Sequence, residues 1–220
     1  MTRQKAEAGQ TETKSGWKQN PEAVKADILA VALAEFSRNG LSGARMDEIA
    51  AKTRTSKRMI YYYFGSKEEL YQKALEAAYA EVRKGEEALA LSHLAPVEAL
   101  GRLAEFTFDH HRRNPDFIRL VMIENIHDGK YLEQSETIGS LNQAAIRNIA
   151  EIYERGVRDG VFRKGLSPLR IHWIISAISF FNVSNQATFS LLFGKQLFGE
   201  AGQELARQDA REAVLGFVRA

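Results

Sequence analysis

The 220-residue sequence contains no cysteine, which removes disulfides and thiolate metal sites from its chemistry. Its longest nearly apolar run, residues 173–183, is interrupted by Ser176, Ser179 and Asn182. That run falls well short of the roughly 20 residues that span a bilayer, so no membrane partner is expected. The opening MTRQKAEAGQTETK lacks the apolar core of a secretory signal, which makes a cytoplasmic protein the default. Also missing are G-x-S-x-G, a phosphate-loop pattern and paired acids at a recognisable spacing. The five histidines do not assemble into a metal site. His110 and His111 are adjacent, so on a helix they point about 100° apart and cannot share one ion. His127 sits in a turn without a second histidine nearby, and His93 and His172 stand alone. These absences predict neither catalysis, nor a metal, nor a cofactor.

What remains is an ordinary globular composition, 45% hydrophobic and 26% charged, enough for one large domain or one small plus one medium domain. No stretch reads convincingly as a strand, and helical spacing runs throughout, so the chain is expected to be all-α. Residues 1–19 are polar and aperiodic, with Trp17 their lone aromatic, and read as a disordered tail. A basic arm through Lys14 and Lys18 is the other reading. Asn20-Pro21 then gives an N-cap followed by proline at the first helical position. Val24, Ile28, Val31, Ala32 and Phe36 mark the buried face of that helix, and Asn39-Gly40 closes it.

Residues 41–70, LSGARMDEIAAKTRTSKRMIYYYFGSKEEL, organise the rest. Met46, Ile49 and Ala50 share one helical face, with Asp47 and Glu48 in the first turn where acids suit the helix dipole. Residues 53–56 break that helix, and Ser56 caps the next, 57–62. Ser66-Lys67-Glu68-Glu69 is a capping box that opens a third. Lys57, Arg58, Tyr61, Tyr62, Tyr63 and Lys67 fall within eleven positions. Guanidinium and ammonium groups supply charge and donors, while tyrosine hydroxyls hydrogen-bond phosphate oxygens. One helix cannot turn three consecutive tyrosines inward, so Ile60 and Phe64 are assigned to the core and the tyrosines to DNA. Residues 1–67 carry 12 basic against 7 acidic residues, a net of +5, which leaves −3 for the remainder. The basic excess therefore sits where the motif sits.

This block resembles the N-terminal DNA-binding domain of the tetracycline-repressor (TetR) family of transcriptional regulators. The matching pieces are Ala34-Glu35-Phe36 with Asn39-Gly40, Asp47-Glu48-Ile49-Ala50, Ser56-Lys57, Ile60-Tyr61-Tyr62-Tyr63-Phe64 and Ser66-Lys67-Glu68-Glu69-Leu70. They cover about residues 22–75. Two positions depart from the family pattern. Arg54 stands where a turn glycine is usual, at an expected cost on the order of 1 kcal/mol if the backbone there is left-handed. Arg45 replaces a capping hydroxyl with a cation.

The resemblance implies a three-helix helix-turn-helix domain over 20–66 and a helical ligand-binding and dimerisation domain over 67–220. The helix that begins at 67 and runs towards 90 connects the two. Thr55, Ser56, Lys57, Arg58 and Met59 would then enter the major groove of an operator, with Lys57, Arg58 and Met59 nearest to base edges. Tyr61, Tyr62, Tyr63, Arg45 and Lys67 would hold phosphates.

Further along, Pro96 opens a helix with Val97, Leu100, Ala104, Thr107 and Phe108 on one side. Asn114-Pro115 starts another over 116–126, residues 127–129 turn, and a long helix is expected over 133–157. That helix carries Ile138, Leu141, Ala145, Ile149 and Ile152 at helical spacing, and Gly160 and Gly165 bracket the loop after it. From 168 to 184, Ile171, Ile174, Ile175, Ile178 and Phe181 form one apolar face and Trp173, Ala177, Phe180 and Ser184 a second. A terminal helix aligns Ala206, Ala210, Ala213, Val214 and Phe217.

The resemblance implies that these last two long helices pair with their copies in a homodimer on a palindromic operator. It also implies a cavity for a small-molecule inducer of unknown identity. Phe106, His110, Met122, Asn125, Tyr153, Trp173 and Phe180 are the candidate lining residues, and Asn182 and Asn185 either orient a ligand or cap a helix break. The expected function is a ligand-responsive repressor. Two alternatives stay open: an architectural DNA-binding protein without inducer, and a helical protein-interaction module.

Overall fold

The structure is a computed structural model and describes residues 20–220. The tail expected over 1–19 lies outside the described residues, as do Lys14 and Lys18. Ten α-helices follow: α1 (Pro21–Gly43), α2 (Met46–Lys52), α3 (Lys57–Phe64), α4 (Lys67–Glu87), α5 (Pro96–Arg113), α6 (Pro115–Ile126), α7 (Glu136–Arg158), α8 (Pro168–Ser184), α9 (Gln186–Phe193) and α10 (Glu200–Val218). Short 3-10 turns lie at Leu91–His93 and Gln196–Phe198. Among the described residues no strand forms; one isolated bridge joins Phe162 and Arg219. None of these helices is long and apolar enough to cross a membrane.

The helices start where side chains satisfy the first backbone donors. Asn20 Oδ1 accepts from Ala23 N at 3.1 Å, and Ser56 Oγ from Met59 N at 3.4 Å. Ser66 and Glu69 exchange both bonds of a capping box, 3.1 and 2.9 Å. All four prolines, Pro21, Pro96, Pro115 and Pro168, occupy first turns, where a missing N–H is not needed. Gly40, at φ 63°, breaks α1 before a last turn ending at Gly43.

Two helix ends shift by about three residues from expectation, α3 runs on to Phe64, and one further helix appears. The long helix begins at Glu136 rather than 133, because Ser135 caps it by accepting from Ile138 N at 3.2 Å. The turn before it is held from elsewhere: Glu124 takes the N–H groups of Tyr131 and Leu132 at 3.0 and 3.1 Å. The connecting helix stops at Glu87, and Ala90 is left-handed at φ 49°. Arg155 of α7 clamps the turn that follows, donating to the carbonyls of Ser92 (2.9 Å), Leu94 (2.8 Å) and Leu91 (3.1 Å). Finally, α9 was not anticipated, since its apolar residues are consecutive rather than spaced.

Two large cores and a smaller one organise the packing. The first gathers Val24, Ile28, Ala32 and Phe36 of α1 around Ile49, Ile60, Leu70, Tyr71 and Leu75, and extends to Leu120 of α6 and Ile138 of α7. Each fully buried Ile or Leu contributes about 1.5–3 kcal/mol. The second packs Leu100, Leu103 and Ala104 of α5 against Ile149 and Ile152, Ile171 and Ile175, and Val214, Leu215 and Val218. Ala78, Val82, Phe117 and Ile118 lie between them.

The expected single face of α8 divides. Ile171, Ile175 and Ser179 are buried, whereas Ile174 and Ile178 are half-buried and Phe181 is 52% exposed. On α10, Ala210 and Val214 are buried as expected but Ala213 is exposed, and Leu215 and Val218 take its place inward. Leu191, Leu192 and Phe193 of α9 remain on the surface beside them.

Candidate DNA-reading face and internal chamber

Helices α2 and α3 are joined by a four-residue turn, and α4 braces α3 from behind through Ile60 and Leu70. The turn is not left-handed at Arg54, because the non-glycine residues with positive φ are Ala90 and Asp128 among the described residues. The anticipated strain at Arg54 is therefore absent. Instead its N–H donates to Asp27 Oδ2 of α1 at 3.0 Å and ties the turn to the scaffold. Arg45 stands at the N-cap of α2 without making a side-chain cap bond, and it is exposed.

Arg45, Ser56, Lys57, Arg58, Tyr61 and Tyr62 share one exposed region, with Tyr62 77% accessible. Thr55, Met59, Tyr63 and Lys67 are half-buried at its margin. Tyr63 packs against the first core and meets Tyr62 edge to face, 5.4 Å between ring centroids. Lys67 Nζ donates to the Ser42 carbonyl at 3.4 Å, which fixes it at the junction of α1 and α4. Lys57 is held by Asp47, with Nζ 2.9 Å from the carboxylate. The hydrogen bond to Lys57 draws the Asp47 carboxyl below its ordinary range, and the same bond raises the Lys57 ammonium. An acid thus lies within the basic face and orients its first lysine.

Behind the reading head, α4 to α8 line a chamber of about 550 Å³ that opens to solvent along its rim. Its walls include Tyr79, Val82, Phe117, Val121, Ile146 and Phe180, and its polar groups include Arg83, Glu86, Thr107, His111, His172 and Ser176. A second chamber of about 600 Å³, termed outer because it reaches the turn at Ala90, Leu91 and Ser92, is also open to solvent and shares Arg83, Glu86, Thr107 and His172, so those four side chains border both compartments.

Arg83 Nη1 pairs with Glu86 Oε2 at 2.7 Å, both side chains being about nine-tenths inaccessible. Burial, opposed by Arg83, pushes the Glu86 carboxyl up to about 7. Burial likewise lowers His111 and His172 to about 4, so both rings are neutral at pH 7. Arg83 Nε and His111 Nδ1 are buried without a hydrogen-bond partner.

Of the residues expected to line a cavity, Asn125, Trp173 and Phe180 do so here, with Asn125 and Trp173 exposed at the rim. Met122 faces a separate groove beside α9. Phe106 lies over Gly85 and against His110 at 5.7 Å between ring centroids, away from the chamber. Tyr153 is buried in the second core, its hydroxyl donating to Arg163 O (2.8 Å) and accepting from Leu166 N (3.0 Å). Asn182 exchanges hydrogen bonds with Gln203 of α10 at 2.9 and 3.0 Å, and Asn185 ends α8.

Arg83 and Glu86 were missed. The signal was present, since both continue the apolar row Leu75, Ala78, Tyr79, Val82 at spacings of three and one. Charged residues in such a row are buried with it.

Comparison with known proteins adds to this geometry. The family model for bacterial regulatory proteins of the tetR family matches residues 28–74, and that for a tetracyclin repressor-like C-terminal domain matches residues 96–214. The HTH-type transcriptional repressor NicS of Pseudomonas putida is 33% identical over 172 residues, 78% of this chain and 81% of the relative. The ketosteroid transcriptional regulator KstR2 of Mycobacterium tuberculosis superposes with a TM-score of 0.66 at 18% identity, over 91% of this chain and 97% of the other. AibR, solved in complex with isovaleryl coenzyme A and operator DNA, gives 0.65 at 18% identity, over 86% and 96%.

Proposed function

Because the chain belongs to the tetR family of bacterial transcriptional regulators, we propose that it is a dimeric repressor released from a palindromic operator when a small molecule fills the chamber. The observation that carries this reading is α4. One rigid helix presents Lys67 at the reading head and Arg83 and Glu86 at the border of both chambers. At 1.5 Å per residue those sites lie roughly 24 Å apart along its axis. An occupant that displaces Arg83 and Glu86 tilts α4, and the capping box at Ser66 carries that tilt to α3.

Only a ligand that binds the released conformer better can shift the equilibrium. The apolar surface left by Trp173, Phe181, Leu191, Leu192 and Phe193 supports a second copy packed across α8 and α10, with α9 alongside. Two reading heads then meet half-sites about one helical turn, on the order of 34–36 Å, apart. Arg58, exposed on α3, contributes to base recognition, while Arg45, Tyr61, Tyr62 and Lys67 hold phosphates.

The test is selection of binding sites from random duplex DNA by the purified protein at near-physiological salt. A two-fold symmetric enriched sequence supports the reading. Weak binding without enrichment supports an architectural role, and absence of any duplex binding leaves the tyrosine-rich face to a protein partner.

A further inference from the structure

Arg83 is the one guanidinium that borders both chambers. Its Nη1 is occupied by Glu86, whereas its Nε–H is sealed from solvent and unpartnered, so an acceptor reaches it only when the Arg83 side chain turns towards the chamber. A buried donor without an acceptor is costly, by about 1–3 kcal/mol and more when the group is charged. The orphaned atom is a donor on a cation, and a carboxylate is the acceptor that matches a guanidinium edge. Around it the inner chamber is largely apolar and aromatic, in the size range of small-molecule sites. The ligand chemistry written there is an anionic head on an apolar body.

Charge balance limits that head. In the inner chamber Arg83 and Glu86 cancel, and His111 on α5 and His172 on α8 are uncharged. From α6 and α7 come only the neutral Asn125 and Asn142 among polar groups. Glu87, Glu151, Glu154, Arg155 and Arg158 face the outer chamber, where they are balanced towards the acidic side. A monoanion on Arg83 would leave the inner chamber at −1, and a phosphate dianion would leave it at −2.

We propose that the chamber takes a small organic monocarboxylate on the Nε edge of Arg83, and that Glu86 takes up one proton from solvent as it binds. This deepens, and rests on, the effector reading above. Glu86 is the receiving group because it is the buried carboxylate already paired with Arg83, at 2.7 Å, and its burial holds the carboxyl up at about 7. Either histidine would first have to climb roughly three units from about 4. Proton uptake restores the chamber to neutrality with the ligand in place.

The test uses the full-length protein and three carboxylates (benzoate, phenylacetate and cinnamate), each paired with its neutral amide. Isothermal titration in buffers of different ionisation enthalpy reads affinity and proton uptake together. At least one carboxylate is expected to bind ten-fold or more tightly than its amide. Net uptake of up to about one proton per site is expected above pH 7, shrinking as the pH is lowered through that value, because burial already raises the free carboxyl to about 7. Glu86→Gln should keep binding while abolishing the uptake, and Arg83→Met should lose binding. Amides that bind as well as acids, acids that bind with no proton uptake, or binding by no acid would each overturn the proposal. Operator release measured alongside separates the two readings. Release by amides alone keeps the effector role and removes the carboxylate, and acid binding without release does the reverse.

Discussion

Tyr71 and Glu124 join the reading head to the regulatory body, and the energy of that joint can be worked from its geometry. Tyr71 is fully buried and donates to Glu124 Oε1 at 2.8 Å. Glu124 is 1% exposed, and its other oxygen accepts from the backbone of Tyr131 and Leu132. Burial and the adjacent Glu124 carboxylate push the phenol well above its ordinary range, so it stays a donor at every working pH.

Tyr71→Phe keeps the edge-to-face contacts with Phe36 and Tyr131, both 5.1 Å between centroids, so the packing change is small. The loss is one hydrogen bond to a buried anion, about 1.5–3 kcal/mol. For a chain of this size that lowers the melting temperature by roughly 3–12 °C. Urea unfolding at matched protein concentration reads it directly, with an unchanged slope expected. Glu124→Gln and the double variant complete a cycle whose coupling should exceed about 1 kcal/mol. A Tyr71→Phe loss below about 0.5 kcal/mol, or simple additivity in the cycle, refutes the assignment of this bond as a structural joint.

Three further outcomes follow from the same structure. Arg58→Ala should change sequence preference, whereas Lys67→Ala should weaken all duplexes alike and lower the salt slope by about one unit; equal behaviour of the two in titrations across salt and sequence contradicts that division. Glu86 carries a folded-state value of about 7 against an ordinary 4.5. Its contribution to stability is therefore complete below about 4.5 and is lost as pH rises through 7. Glu86→Gln should flatten that part of the pH–stability curve, and an unchanged slope between pH 5 and 8 counts against it. Ala90→Gly should stabilise by about 1 kcal/mol by relieving the left-handed backbone at φ 49°, measured by denaturant midpoint; destabilisation would contradict it.

The parts that could be read from sequence were those whose causes are local. Asn20, Ser56 and Ser66 announce helices because each cap is satisfied within three residues. The four prolines mark first turns for the same reason. What could not be read depends on distant partners. The start of α7 is displaced because Glu124, on another helix, takes the turn's backbone donors. Phe106, His110 and Tyr153 sit on plausible inward phases, yet only packing decides which inward phase faces space and which faces a neighbour. Tyr153 had its hydroxyl claimed by Arg163 and Leu166 across a loop. Arg83 and Glu86 were visible as charges in an apolar row, and their ion pair is a local contact one turn apart on α4, but the space they border is made by five helices together.

The continuity of the first core bears on how such a protein changes its address. Ile28 and Phe36 are covered by Leu70, Tyr71, Ala74 and Leu75, and beyond them by Leu120 and Ile138. A graft cut at residue 66 would strip that cover from the donated head and leave an ill-matched socket on the recipient. The head is therefore not a cassette. Arg58, Tyr61 and Tyr62 are exposed on α3; if they read DNA as proposed, new operators are reached by rewriting those side chains in place, one surface residue at a time, while the shared interior stays as it is.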